Sequence, residues 1–345
     1  MPILAELYVA ARTRNVEDAD TDDLPVLVVR RGSNVVFTKP LFGGSSMVGR
    51  GQSAVWRFDV RDQNLDSADL SIELHASGDD AWSPEHVISW GLSGRLGDER
   101  VIPLGALLDL GSPLISADDG LWISTDPNDG GGRILFVPRV GRGQNATRAR
   151  RIIVVSATDP YPSMFTSVGP NFDFRERGSN GPVTLQGGGA GRLFLSLTLP
   201  SSPQGDLARS SAGFYVVDLA APFSRLDCEG GAFTLTIESA DLWRPDYFAV
   251  FGVDTTNGGP RVMIPFVAAS GPELKQMSSD PLGGFHTAVL PTAKVLFQLS
   301  DSIDVDDLGG LVLAAARGVP HPQDVGPRSG SVVTKVRPKQ KRKRG

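Results

Sequence analysis

Seven cations crowd the last eleven residues, "KVRPKQKRKRG": Lys335, Arg337, Lys339, Lys341, Arg342, Lys343 and Arg344. No acid and no aromatic interrupts them. A run of this kind neutralises phosphates by charge alone, so it fits nucleic acid or an anionic lipid surface without base readout. Its core, "PKQKRKR", equally fits a nuclear-import signal, and the plainest alternative is a solubilising tail. Missing aromatics argue against the base stacking of single-strand binders. Residues 321–345 hold eight Lys/Arg and one acid, Asp324, for a net of +7. The other 320 residues hold 26 basic and 38 acidic side chains, for a net of −12, so an acidic body carries a basic tail.

Elsewhere the chemistry is sparse. There is no phosphate-cradling G-x-x-x-x-G-K-[ST], no G-x-S-x-G nucleophile elbow and no H-E-x-x-H zinc pair. The four histidines, His75, His86, His286 and His321, form no pair at metal-ligand spacing and read as core-edge or surface residues. Three acidic loops, 77–82, 126–132 and 301–307, have calcium-like composition, but calcium needs six to eight convergent oxygens. The expectation is no metal, no cofactor and no catalytic residue. A single cysteine, Cys228, excludes an intrachain disulfide and reads as a small buried hydrophobe. No signal-peptide pattern and no membrane-length apolar run is present, so the expectation is a soluble protein in which the sequon at Asn145 goes unused.

Two stretches organise the rest. Residues 80–91 read "DAWSPEHVISWG" and residues 241–252 read "DLWRPDYFAVFG". At an offset of 161 Asp80 meets Asp241, Trp82 meets Trp243, Pro84 meets Pro245 and Gly91 meets Gly252, while His86 meets Tyr247. The diagonal continues through Gly97/Gly258, Arg100-Val101/Arg261-Val262, Asp119/Asp280 and Leu121/Leu282 to "RILF" (133–136) against "KVLF" (294–297). Upstream it slips by two, placing "WRFDV" (56–60) on "YVVDL" (215–219), as a changed hairpin loop would. The reading is an internal duplication. Trp82 and Trp243 plug the ends of two cores, each indole with a partner for its N–H; the alternative is a ligand-stacking pair.

The elements that must carry these residues are strands. Hydrophobic residues make up 40% and charged residues 21%, enough for ordinary cores, and 40 Gly with 25 Pro suit short strands and tight turns. "LSIELHA" (70–76) and "FTLTIES" (233–239) alternate apolar and polar, the period of a half-buried strand. Further strands are expected at 25–31, 34–38, 54–60, 100–104, 121–125, 133–138 and 151–157, then at 192–199, 213–219, 261–267, 286–290, 293–299 and 310–316. Short helical turns are expected within 105–110 and 271–277. The fold class is all-β: two tandem antiparallel sandwiches, jelly-roll or another Greek key. The expected division is an arm (1–24), a first sandwich (25–158), a linker (159–184), a second sandwich (185–317) and a flexible basic tail (318–345).

Two fused sandwiches with an arm, a basic tail and no catalytic constellation resemble double jelly-roll viral coat and virion-surface proteins. The resemblance is architectural and carries no residue over. It implies a non-enzymatic protein that self-assembles or joins other coat subunits, in a virion or host cytoplasm, its tail on nucleic acid or an anionic membrane. The alternative is a tandem module binding carbohydrate or lipid through the loops beside Trp82 and Trp243.

Overall fold

The computed structural model describes residues 3–41, 49–94, 100–108, 122–126, 132–158, 181–189, 191–199, 211–228, 231–239, 243–256, 259–270, 274, 276–280 and 284–294. These residues are all-β, with two short 3-10 turns and no α-helix among them. The strands are β1 Leu4–Thr13, β2 Val26–Arg31, β3 Asn34–Pro40, β4 Ser53–Asp59, β5 Leu70–His75, β6 Pro84–Ser93, β7 Arg100–Leu107 and β8 Ile134–Val137. After the two-residue β9 Gly141–Arg142 come β10 Ala149–Thr158, β11 Val183–Gly189, β12 Arg192–Leu199, β13 Ala212–Phe223, β14 Phe233–Ile237, β15 Pro245–Thr256, β16 Gly259–Ser270 and β17 Thr287–Leu290.

The first half places β7-β6-β1-β4 in one sheet and β3-β2-β5-β8 in another; the second half repeats this as β16-β15-β10-β13 and β12-β11-β14-β17. Counted cyclically from β7, each half takes the order 1-8-3-6 and 2-7-4-5, the strand order of a jelly roll entered at its third strand. The two inner sheets join through Ser53 opposite Ala212, and β9 adds to β16 in parallel, making one nine-stranded sheet. Two cores lie between each half's inner and outer sheet. A third core fills the seam where the inner sheets face each other, with Tyr8, Ile88, Trp90, Ile153, Phe214 and Phe251 among its members.

Five sequence expectations change here. Residues 1–24 are no arm, because β1 is a central strand between β4 and β6. Its side chains enter two cores, Leu7, Val9 and Ala11 on one face and Tyr8 and Ala10 on the other. A strand buried on both faces shows no apolar–polar alternation. Residues 149–158 belong to the second half, between β13 and β15, and Val183 and Thr184 open β11 rather than ending a linker. Gly105–Leu107 complete β7 instead of turning helically, and Ile123 forms only isolated bridges, to Trp82 and Gly132. Residues 159–180 and 295–345, with the expected strand at 310–316, lie outside the described residues.

Candidate functional site

The repeated sentence sits at one end of each core. Trp82 and Trp243 are fully buried, and their indole N–H groups donate to Thr13 Oγ1 (2.9 Å) and Thr158 Oγ1 (3.0 Å). Thr13 stands opposite Pro84 in its ladder and Thr158 opposite Pro245. Each tryptophan also exchanges two backbone bonds with a distant residue, Trp82 with Ile123 and Trp243 with Met277. Behind these, Ser124 Oγ caps the amide of Asp126 and Ser278 Oγ caps that of Asp280, both at 3.0 Å. The glycines answer close packing: a Cβ on Gly91 would stand 2.6 Å from Leu4 Cδ2, and one on Gly252 2.5 Å from Ala149 Cβ. Both indoles and both glycines are thus enclosed by the fold.

The registers show which repeat pairings correspond in space. Val9 faces Trp56 and Ser89, while Val154 faces Tyr215 and Val250, so the 159 and 161 offsets both match equivalent positions. The diagonal drifts beyond β6. Pro103 and Pro265, 162 apart, sit opposite the equivalent bulged residues Trp90 and Phe251. Asp280 corresponds to Asp126 and not to Asp119, which lies outside the described residues, as does Asp241. The strand equivalent to β8 is β17, at 287–290, so the match of "RILF" to "KVLF" pairs unlike positions.

Asp80 is hydrogen-bonded within the fold. It accepts from the amide of Asp22 at 2.6 Å, and its own amide donates to Asp23 Oδ2 at 2.9 Å, so the segment before β2 is tied to the loop before β6. Burial, helped by the Asp22 and Asp23 carboxylates, raises the Asp80 carboxyl above its ordinary range. Cys228 is half-buried against the second core, where burial pushes its thiol up to about 11 and keeps it protonated.

The seam is chemically unlike either sandwich core. Tyr8 stacks on Trp90 (5.2 Å) and Tyr247 (4.7 Å), Trp90 packs on Phe251 (5.2 Å), and Trp90 Nε1 donates to Tyr247 Oη at 2.8 Å. At one end Arg57 bonds Glu6, which also accepts from Tyr8 Oη at 2.6 Å. At the other, Arg12 pairs with Glu85 (3.2 Å) and donates to the Phe214 carbonyl (3.0 Å). There His86 lies buried and stacked on Phe214. Burial, reinforced by the Arg12 and Arg151 charges, pushes His86 down to about 3, so the imidazole is neutral. These contacts join the halves through far more than a linker.

The two outer sheets differ most. On the first, Glu73 is 3% exposed yet accepts from Arg30 Nε (2.9 Å) and from His75 Nε2 (2.7 Å). Burial alone would raise the Glu73 carboxyl, but these two hydrogen bonds overturn that and hold it low. On the second, the outward row is Thr198–Thr184–Thr236–Thr287, one residue from each of four adjacent strands. The next row is Ser196–Gln186–Thr234–Val289, followed by Leu193 opposite Gly188. None of these ten positions carries a charge, and Val289 and Leu193 are 67% and 61% exposed. The sequence reading missed this face, although "FTLTI" (233–237) with "LTL" (197–199) states its pattern.

The tail residues 335–344 and His321 lie outside the described residues. So do most of the acidic loop 126–132 and all of 301–307. No described helix is long and apolar enough to cross a membrane. No family model matches the chain, and no curated protein matches it. A solved structure with local similarity is an alpha toxin from Clostridium absonum, at 19% identity and a TM-score of 0.25. That match spans 30% of this chain and 30% of the toxin chain.

Proposed function

We propose that this chain is a non-enzymatic structural protein that self-assembles, of the kind that builds viral coats or virion surfaces. Its sandwich body makes the protein contacts and its basic tail meets nucleic acid or an anionic surface. The observation that carries the reading is the separation of charge, +7 in residues 321–345 against −12 in the remainder. A body of that sign repels polyanions, whereas the tail binds them with a steep salt dependence. The seam supports the same reading, since it makes two sandwiches a single block suited to a repeated building unit. The alternative of a carbohydrate- or lipid-binding module loses its proposed contact residues, because both indoles are inside their cores.

The test is size-exclusion chromatography with light scattering and negative-stain imaging. The full chain and a 1–327 truncation are compared, each with and without RNA and DNA. Regular oligomers or particles, with nucleic-acid binding lost on truncation, are the expected result. A monomer indifferent to nucleic acid at every concentration refutes the reading.

A further inference from the structure

Resting on that self-assembly reading, we infer that the outer sheet β12-β11-β14-β17 is an assembly surface and that its occupant is the same sheet of a second copy. Its chemistry points to self-contact. In a two-fold interface each patch meets its own image, so any charge on it is brought towards a like charge. This face carries none at its ten outward positions, in a chain whose residues are 21% charged. Hydroxyls, by contrast, are self-complementary, each donating one bond and accepting others. The row Thr198–Thr184–Thr236–Thr287 therefore suits its own image, and Thr236 and Thr287 already approach each other at 3.4 Å. Val289 and Leu193, on the two marginal strands, supply apolar area that contact would remove from water. A phosphate-bearing partner or the basic tail would find no opposite charge at these ten positions, and the Glu238 carboxylate bordering the threonine row stands 3.7 Å from His286.

Four strands spaced about 4.8 Å apart present roughly 400 Å² per copy. Two such faces together bury about 800 Å², below the roughly 1,000 Å² of a stable interface, so the self-contact is a weak one, with about 10 μM taken as the affinity for the test. It becomes effective where many copies act together.

The experiment is sedimentation velocity on the full chain without nucleic acid, from about 1 to 100 μM, spanning that affinity. Thr236→Lys, Thr236→Glu and their equimolar mixture are compared with wild type. Thr236 lies on a central strand, so its image falls within the same patch, where like charges repel and opposite charges attract. Each variant alone is expected to self-associate at least about tenfold more weakly, and the mixture to recover association. A matched pair, Gln186→Lys and Gln186→Glu, repeats the test one row away, and unchanged thermal melting confirms that the variants fold. Wild-type association by the single variants overturns the inference, as does a mixture no better than its components. If particles and tail-dependent nucleic-acid binding persist in those cases, only this face is refuted and the self-assembly reading stands. A wild type that stays monomeric without forming particles refutes both.

Discussion

The two halves share one topology and the same core plugs, yet their outer sheets have become different materials. In register, counted from the equivalent bulges after Val29 and Gly187, Thr38–Val28–Glu73–Phe136 of the first half corresponds to Ser196–Gln186–Thr234–Val289 of the second. Val28, Glu73 and Phe136 are 6%, 3% and 6% exposed, whereas none of Ser196, Gln186, Thr234 and Val289 is buried. One face has its charge neutralised within the fold, and the other is left uncharged and open. Residues that plug a core are held by packing, but an outward row is free to change with what the surface must meet.

The largest effect tests what the halves have in common. Trp82→Ala and Trp243→Ala each remove a fully buried indole and its hydrogen bond to a threonine hydroxyl, so each is expected to cost about 3–5 kcal/mol by urea denaturation. Equal losses make the plugs equivalent. A loss below about 1 kcal/mol at both positions marks them as surface residues and returns them to ligand binding.

The next prediction concerns a pair of equivalent positions that differ, His86 and Tyr247. The unfolded imidazole titrates near 6.5 and the folded one near 3. Between those values the unfolded chain binds a proton that the folded chain refuses, so stability is full above pH 6.5 and falls as pH drops towards 3. The loss amounts to as much as about 4 kcal/mol for this group. His86→Phe keeps the stack on Phe214 and is expected to flatten that part of the stability–pH curve. An unchanged slope between pH 6.5 and 4 assigns the acid sensitivity to other groups.

A smaller effect probes the seam alone. Tyr247→Phe leaves the buried Trp90 N–H without its acceptor and is expected to cost about 1–3 kcal/mol. Because the seam couples the halves, loss of near-ultraviolet dichroism and of far-ultraviolet strand signal is expected at one midpoint. Two separated transitions would make the halves independent folding units.

How much of this was legible in the residues depends on where each side chain points. β5 and β14 announce themselves by alternation, and "DAWSPEHVISWG" marks the core plug because Trp, Pro and Gly at fixed spacing have few interchangeable substitutes. β1 escaped because both its faces are buried, and with it went the Thr13/Thr158 correspondence, 145 apart and sixteen residues off the main diagonal. The seam was illegible for the same reason: Tyr8, Trp90 and Tyr247 read as ordinary core residues until the two inner sheets are stacked. The threonine rows were present as "TLTI" and "LTL", but a row runs across strands and exists only once their register is known.

The smallest effect returns to the two outer faces. Glu73→Val removes the carboxylate that Arg30 and His75 share, leaving a guanidinium one-quarter exposed and an imidazole without their partner. Partial solvent access limits the cost to about 1–2 kcal/mol. Because the folded Glu73 carboxyl is held low, its contribution is present above the unfolded value near 4.5 and lost as pH falls below it. Glu73→Val should therefore match wild type more closely in acid than at neutral pH. Thr236→Val, at the position equivalent to His75, removes only a 3.4 Å hydroxyl contact and gains strand propensity, so its stability should stay within about 0.5 kcal/mol of wild type at any pH. A loss above about 1 kcal/mol at Thr236 would mean that the second face also serves the folded monomer, and a row needed by its own fold is no longer free for a partner. Near-neutrality at Thr236 beside a pH-dependent loss at Glu73 would separate the two sheets by role, one face closed for stability and its counterpart left open for contact.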